Sequence, residues 1–283
     1  MDLGDKDVLL RLQAHPETLQ FVMKLTDTEL KSFAQILDWP APRLARLRDQ
    51  PWHAGILHKM WDLAADRESF FKTYLSIYDT AADSVNVLDA FSQGQLDSKR
   101  WLIDTAIGLG IPLGRTWVLC GWIGTLSYLM FTRSDDLKLT SVRSFDIDPN
   151  CEELAEKLNK ENVKAGWQFK AFTKDVNLLD YDCFEWSVWS TVNNRMSHPI
   201  QDAADTIINT SCDHMGSDRS WWDRIPAGKL VILQNNNWHE NDQHDNSTTD
   251  LDSFKAMYPF GELLYAGQLD CTLYQRFMLI GRK

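Results

Sequence analysis

After about Gly110, short runs of β-branched, aromatic and other apolar residues alternate with helical or polar stretches. This alternation is typical of a parallel sheet whose strands are connected by helices on its faces. Only a short turn near Cys271–Leu273 separates the last two runs, and a connection that short makes neighbouring strands antiparallel. The sequence therefore predicts an α/β fold with a seven-stranded, mostly parallel sheet whose last strand is antiparallel. The predicted strands are Trp117–Leu119, Val142–Asp146, Trp167–Ala171, Thr206–Asn209, Lys229–Gln234, Leu263–Leu269 and Arg276–Gly281.

Before Gly110 the apolar residues recur at intervals of three and four, which is the spacing of one face of a helix. Pro16 opens one such run, and the segment from Thr26 to Glu29 resembles a capping sequence before another. We therefore predict an all-helical N-terminal domain over residues 1–112 and the sheet-containing domain over residues 113–283. Further helices of the first region are predicted over residues 51–65, 67–78 and 98–109.

Composition excludes several classes of protein. The net charge of −11 argues against a protein that coats DNA without sequence preference, because phosphate binding needs a surplus of Lys and Arg. No window offers the roughly 18 consecutive apolar residues of a membrane span, and the first residues do not resemble a signal peptide, so we expect a cytoplasmic protein. The five cysteines are odd in number and contain no CxxC pair, which predicts neither disulfides nor a structural zinc site.

A glycine-containing turn and two aspartates mark the carboxyl ends of the first two predicted strands. Gly121 and Gly124 precede an apolar helix, and Asp146 follows Gly121 by 25 residues, against about 20 in the dinucleotide fingerprint. In doubly wound sheets such a turn approaches the ligand, and the acidic residue binds ribose hydroxyls. Asp148 precedes Pro149 and is predicted to cap the next helix. The alternative for Asp146 is a solvent-facing carboxylate, and the alternative for the glycines is a tight turn without a ligand.

This combination resembles the class I S-adenosylmethionine-dependent methyltransferase superfamily over roughly residues 117–283. The set "GQLDSKRWLI", "SFDIDPNCEELAEKLN", "IINTSCDHM" and "IPAGKLVILQNNN" looks like that of phage-type methyltransferases. The resemblance implies a Rossmann-like domain, S-adenosylmethionine as cofactor and methyl transfer as the reaction.

Carried over position by position, the resemblance assigns cofactor-binding roles. Gly121, Trp122 and Gly124 match the methionine-binding turn. Asp146 matches the ribose carboxylate, and Asp175 matches the acidic position near the adenine amino group. The usual turn is richer in glycine, and Trp122 stands where a small residue is common, so the methionine end is expected to be held differently.

The segment after the fourth predicted strand carries the candidate catalytic residues. Asn209 matches the strand end that faces the transferable group. His214 is a candidate general base tuned by Asp213 or another carboxylate, with a structural histidine as the alternative. Cys212 is predicted to be a buried, inert thiol rather than a nucleophile.

Three positions keep two interpretations each. Lys99 could meet the carboxylate of methionine, or could belong to a capped amphipathic helix that faces the core. Trp221 and Trp222 could form an aromatic wall for a planar ligand, although tryptophan pairs more often brace a core.

The polar segment "QNNNWHENDQHDNSTTD" follows the fifth predicted strand. Its spacing of acidic and histidine residues fits no familiar zinc or calcium pattern, so no metal is predicted. A substrate-facing lid is favoured over a metal site, and a mobile surface loop over both. The residues concerned are His239, Asp242, His244 and Asp245.

Two other functions remain open from the sequence. One keeps the cofactor but transfers its aminocarboxypropyl group or cleaves it. The other is a non-catalytic interaction or assembly module in which Trp122 fills the cofactor site. A nicotinamide oxidoreductase fits the closing hairpin poorly. The Asn-Pro-Pro-Tyr-like motif of base-amino methyltransferases is absent, since Asn209 is followed by Thr210. The acceptor, whether small molecule, protein or nucleic acid, and the formation of a homo-oligomer are left open.

Overall fold

A computed structural model describes residues 89–190, 194–216, 219–240, 244–271 and 273–283, together with Ile77, Val85 and Val87. The chain divides into two units, and the second, Asp97–Lys283, is described here by itself. The helices predicted before residue 79 lie almost entirely outside the described residues. The predicted boundary between residues 112 and 113 stays a prediction.

The predicted seven-stranded sheet is confirmed. Its order is β10-β11-β9-β8-β1-β2-β3, and β11 is antiparallel to both of its neighbours. The third strand begins two residues later than predicted, because Gly166 and Trp167 have positive φ angles of 68° and 62° and form a turn. The seven strands are β1 (Gly114–Leu119), β2 (Leu139–Asp146), β3 (Phe169–Thr173), β8 (Thr206–Asn209), β9 (Leu230–Asn236), β10 (Glu262–Asp270) and β11 (Gln275–Arg282).

The helices of the described residues connect these strands. Asp148 caps α4 as predicted: its Oδ1 accepts a hydrogen bond from the Asn150 N–H at 2.9 Å, and Pro149 occupies the first helical position. No helix within the described residues has both the length and the apolar character needed to cross a membrane. The helices are α1 (Gln93–Gly108), α2 (Thr125–Phe131), α3 (Ser134–Leu137), α4 (Pro149–Leu158), α5 (Lys160–Lys164), α6 (Ser220–Arg224) and α7 (Leu251–Met257), with 3-10 turns at Asp89–Phe91 and Val176–Leu178.

Two small antiparallel sheets lie between β3 and β8 and were not predicted. Asp202, which ends the second strand of one of them, ties that sheet to the main sheet through a buried ion pair, in which Arg143 Nε of β2 lies 2.6 Å from its Oδ2. Burial lowers the pKa of Arg143, and Asp202 acts in the opposite sense. The strands concerned are β4 (Phe184–Trp186) with β7 (Ile200–Asp202), and β5 (Trp189–Ser190) with β6 (Arg195–Met196).

The strand order fixes where a ligand would bind. The chain runs from β1 outward through β2 to β3, and then returns to β8 on the other side of β1. The point between β1 and β8 is therefore a topological switch point, where the connections after the two strands diverge and leave a crevice at the carboxyl ends. The residues that end the parallel strands at this edge are Leu119, Asp146, Thr173, Asn209 and Asn236.

Candidate functional site

The turn after β1 alternates between ordinary and left-handed backbone. Cys120, Trp122 and Gly124 have φ angles of 51°, 49° and 75°. Left-handed backbone costs a residue with a Cβ atom about 1–2 kcal/mol, and only the third of these positions holds glycine. Cys120 and Trp122 therefore adopt left-handed backbone at an energetic cost, and the turn keeps its tight alternating shape.

Both glycines of the turn are required by close packing. A Cβ atom added at Gly121 would overlap Ser144 Oγ of β2. A Cβ atom at Gly124 would lie 2.8 Å from Asn159 Nδ2 and 3.2 Å from Ala155 Cβ of α4. The glycines therefore let β2 and α4 approach the turn, whether or not they also contact a ligand.

Asp146 ends β2 beside this turn, as predicted. Its Oδ2 accepts the Trp122 N–H at 2.8 Å, and its Oδ1 accepts the Asp148 N–H at 3.0 Å. Burial raises the pKa of Asp146, while these backbone hydrogen bonds act in the opposite sense. Each carboxylate oxygen can accept a further hydrogen bond, so the group is oriented and still able to bind two donors.

Asp175 lies just after β3, whose Thr173 pairs with Asp146 of β2. Its Oδ1 caps the following 3-10 turn by accepting the Asn177 N–H at 2.9 Å. The structure therefore gives Asp175 a structural role at the same edge of the sheet. Lys99 is 7% exposed in α1, next to Ser98, whose carbonyl accepts the Gln234 Nε2 hydrogen bond at 3.0 Å. The cofactor roles of Asp175 and Lys99 stay predictions.

The electrostatic field at the turn is negative. Burial raises the pKa of the Cys120 thiol, and Asp146, Asp213 and Asp175 raise it further. The thiol donates to Met215 Sδ at 3.3 Å, which joins the turn to the segment that follows β8. Burial and the negative charges of these three carboxylates thus disfavour the Cys120 thiolate, and the same charges would favour a cation.

Asn209 is fully buried at the carboxyl end of β8. Its Oδ1 accepts the Ser211 N–H at 2.9 Å. Among the residues that the structure describes, no acceptor lies within hydrogen-bond distance of its buried Nδ2. A buried donor without a partner is costly, and a ligand at this edge is one way of satisfying it.

Asp213 lies at the centre of a cluster of polar side chains from two segments. Its Oδ2 accepts the Asn236 Nδ2 hydrogen bond at 2.7 Å, and it lies 3.2 Å from His244 Nε2 and 3.5 Å from His214 Nε2. His214 is 43% exposed, whereas Asp213 and His244 are buried. Burial lowers the pKa of His244, although Asp213 acts in the opposite sense. His214 therefore has the buried carboxylate neighbour that the sequence predicted.

The mobile surface loop expected after β9 stays a prediction, and the second half of this segment makes backbone hydrogen bonds to other segments. The Asn246 N–H donates to the Asp213 carbonyl at 2.9 Å, and the Thr248 N–H donates to the Asn236 carbonyl at 3.0 Å. His244 is buried against Asp213, whereas His239 is exposed, and Asp242 lies outside the described residues. These hydrogen bonds join residues 246 and 248 to the segment that follows β8 and to the end of β9.

The tryptophan pair belongs to the core rather than to a ligand-facing wall. Trp221 and Trp222 are 0% and 3% exposed and pack against Tyr258, with ring centroids 5.5 and 5.3 Å away. Cys212 is also fully buried, and its pKa is raised by burial, which agrees with the inert thiol predicted.

Sequence reasoning missed the contacts that His244 and Asn236 make with Asp213. A signal was present, because Asn209 and Asn236 end adjacent parallel strands and polar residues follow both. The carboxyl ends of parallel strands lie at one edge, so the segments that follow them are expected to meet there.

No family model matches the sequence, and no curated protein matches it. Among solved structures, the chain is similar to magnesium protoporphyrin IX methyltransferase (ChlM) from Synechocystis PCC 6803 with bound SAM, at 14% identity over 75% of this chain and 90% of that one, with a TM-score of 0.47. It is also similar to the N-methyltransferase NodS from Bradyrhizobium japonicum WM9 in complex with SAH, at 11% identity over 75% and 98%, with a TM-score of 0.48. A third is geranyl diphosphate C-methyltransferase from Streptomyces coelicolor A3(2), at 8% identity over 66% and 77%, with a TM-score of 0.46. Similarities at these identities and TM-scores do not indicate the function of this chain. The strand order and the residues described above are the observations that bear on function.

Proposed function

We propose that this protein binds S-adenosylmethionine at the carboxyl edge of its sheet and is a methyltransferase. The observation that carries the proposal is the Asp146 carboxylate beside the switch point. Two backbone N–H groups, of Trp122 and Asp148, orient it, and both of its oxygens can accept more. A ribose diol offers two hydroxyl donors at the spacing of one carboxylate, and a charged acceptor binds them more strongly than a neutral one.

The surroundings of Asp146 fit the rest of this cofactor. The three carboxylates near Cys120 give a negative field, which suits a sulfonium cation. In the proposed site Gly121, Trp122 and Gly124 bring backbone to the methionine end. Asp175 accepts from the adenine amino group, and Lys99 meets the methionine carboxylate.

When bound, S-adenosylmethionine supplies an electrophilic methyl group. The chain contributes mainly positioning, because displacement at the methyl carbon needs an in-line acceptor. The unpaired Nδ2 of Asn209 is placed to hold a group at this edge, and His214 takes the proton from the acceptor while Asp213 orients its ring. The proposal also includes the phage-type subfamily, a cytoplasmic location and a homo-oligomer. It names no acceptor class.

Calorimetric titration of the full chain with S-adenosylmethionine and S-adenosylhomocysteine tests the proposal. Both should bind saturably, and Asp146→Ala should abolish binding. The matched control is Asp148→Ser, which removes a carboxylate two residues away and keeps a good helix cap. Absence of binding to the folded wild-type protein would overturn the proposal and favour the interaction module, in which Trp122 fills the site.

Product analysis then separates methyl transfer from its closest alternative. Methyl transfer releases S-adenosylhomocysteine, whereas transfer of the aminocarboxypropyl group releases methylthioadenosine. In a reaction with an acceptor, mass spectrometry of the cofactor product therefore identifies the bond that breaks.

A further inference from the structure

Asp213, His214 and His244 bring three metal-ligating side chains to one point. Their ligand atoms all lie within 4.8 Å of one another. The Asp213 Oδ2 is 3.2 Å from His244 Nε2 and 3.5 Å from His214 Nε2. Two ligands that are each about 2.1 Å from one tetrahedral metal ion are separated by about 3.4 Å. Both separations from the Asp213 carboxylate are therefore close to the value that one shared cation requires.

Neighbouring groups orient two of the three side chains. His244 Nδ1 lies 3.1 Å from the Trp238 carbonyl oxygen, which can only accept, so Nδ1 carries the ring proton in this contact. The other ring nitrogen, Nε2, is the one directed at Asp213. The Asn236 Nδ2 hydrogen bond to Asp213 Oδ2 is 2.7 Å long and holds the carboxylate. Hydrogen bonds of this kind behind the ligands are typical of metal sites.

An independent observation points to a ligand in the cluster. Asp213 is 1% exposed, and its Oδ1 has no hydrogen-bond partner among the described residues. A buried carboxylate oxygen without a partner is costly, and a cation bound by the same carboxylate would compensate for the missing partner. His214 is 43% exposed, which leaves one side of the cluster accessible to solvent.

We propose that Asp213, His214 and His244 form a binding site for one divalent first-row transition-metal cation. Imidazole nitrogens suit Zn²⁺, Fe²⁺, Co²⁺ or Ni²⁺, whereas Mg²⁺ and Ca²⁺ prefer sites made of oxygen ligands. Three protein ligands with an accessible fourth position are the composition of catalytic rather than structural zinc sites.

The consequence for chemistry rests on the proposed function. An acceptor hydroxyl bound at the accessible position would lose its proton more readily, because the cation stabilises the oxyanion. His214 would then act as a ligand and would not be available as a free base. Metal-dependent transfer and transfer with His214 as the base are thus distinct outcomes for the same residues.

Titration of the metal-free full chain with Zn²⁺, without cofactor or acceptor, tests the site separately from methyl transfer. We expect one equivalent to bind. His214→Ala should weaken binding by at least about 10-fold, since even the loss of an outer-shell partner costs that much. The matched control is His239→Ala, which removes an exposed histidine outside the cluster and should leave the affinity unchanged.

Two results would overturn the proposal. One is the absence of a saturable site in the wild-type protein. The other is equal affinity for Zn²⁺ in wild type and His214→Ala, which would show that Zn²⁺ binds outside the cluster. Because His214 is partly exposed, its replacement should leave the fold intact, and circular dichroism checks this. Co²⁺ gives a second readout: its visible d–d absorption should appear in wild type and in His239→Ala, and should be lost in His214→Ala.

Discussion

The two ends of the carboxyl edge differ in the groups that build them. At the turn after β1, backbone N–H groups of Trp122 and Asp148 hold Asp146, and glycines allow close packing. At the Asp213 cluster, side chains contact side chains, and Asp213 contacts Asn236 and His244, which lie 23 and 31 residues away in the sequence. The first end keeps its shape through backbone hydrogen bonds and close packing of the backbone. The second depends on several buried polar groups that must find one another.

Asp213→Ala should therefore have the largest effect on stability. It removes the partner of Asn236 Nδ2 and the carboxylate beside His244, and each buried polar group left unpaired costs about 1–3 kcal/mol. We expect a loss of about 3 kcal/mol in the free energy of unfolding, measured with denaturant. Asp252→Ala is the control, because this side chain is 92% exposed and should change stability by less than about 0.5 kcal/mol. Similar losses in both variants would mean that the cluster contributes no special stability.

Gly121→Ala should cost less, about 2 kcal/mol, because overpacking forces β1 and β2 apart locally. The Cβ atom overlaps Ser144 Oγ, whereas Ser144 Cβ remains 3.3 Å away. Ser144→Ala should therefore restore most of the loss in the double variant. A double-mutant cycle on unfolding free energies measures this coupling. If the losses in unfolding free energy of the two single variants simply add, close packing against β2 is not the reason for glycine at position 121.

The difference between the two ends also explains what the sequence could predict. The seven strands, the closing hairpin and the Asp148 cap follow from local signals: apolar runs, a short connection, and an aspartate before proline. Asp146 could be placed at the ligand edge because it directly ends a strand.

Contacts between distant segments could not be read in the same way. Asp202 pairs with Arg143 across 59 residues, and nothing near either position marks the ion pair. His244 was assigned to a surface loop because polar composition predicts exposure, whereas its side chain is 6% exposed and lies 3.2 Å from Asp213 Oδ2. Trp122 was identified as unusual for its size, but its left-handed φ of 49° needed the structure.

Relief of left-handed backbone strain at Lys138 and at Trp122 gives a smaller effect. Lys138 is exposed with a φ of 49°, so Lys138→Gly should raise the free energy of unfolding by up to about 1 kcal/mol. Trp122→Gly should gain less, because the half-buried indole also loses apolar contacts. Thermal or denaturant unfolding of both variants measures the difference. A larger gain for Trp122→Gly than for Lys138→Gly would mean that the indole itself is strained. Adenosyl-ligand binding that appears only in Trp122→Gly would support the interaction module.

The smallest effect concerns the pH dependence of stability at the turn after β1. Burial raises the pKa of Asp146 above its ordinary 3.8, so its favourable contribution is present at low pH and is lost as pH rises through the folded-state pKa. Asp146→Asn should therefore gain stability relative to wild type as pH rises above about 4. Asp205 provides the opposite sign, because its hydrogen bond with Arg115 lowers its pKa. Its contribution is lost as pH falls, and Asp205→Asn should lose stability relative to wild type as pH rises.

Denaturant unfolding at a series of pH values compares these two variants with wild type. If the stability relative to wild type changed with pH in the same direction in both variants, this would contradict a pKa of Asp146 that is raised by burial. Changes in opposite directions would show that the Asp146 carboxylate at the sheet edge lowers stability near neutral pH. Folding alone does not require such a charged group. Such a cost is typical of binding and catalytic positions, where charge is kept for the ligand.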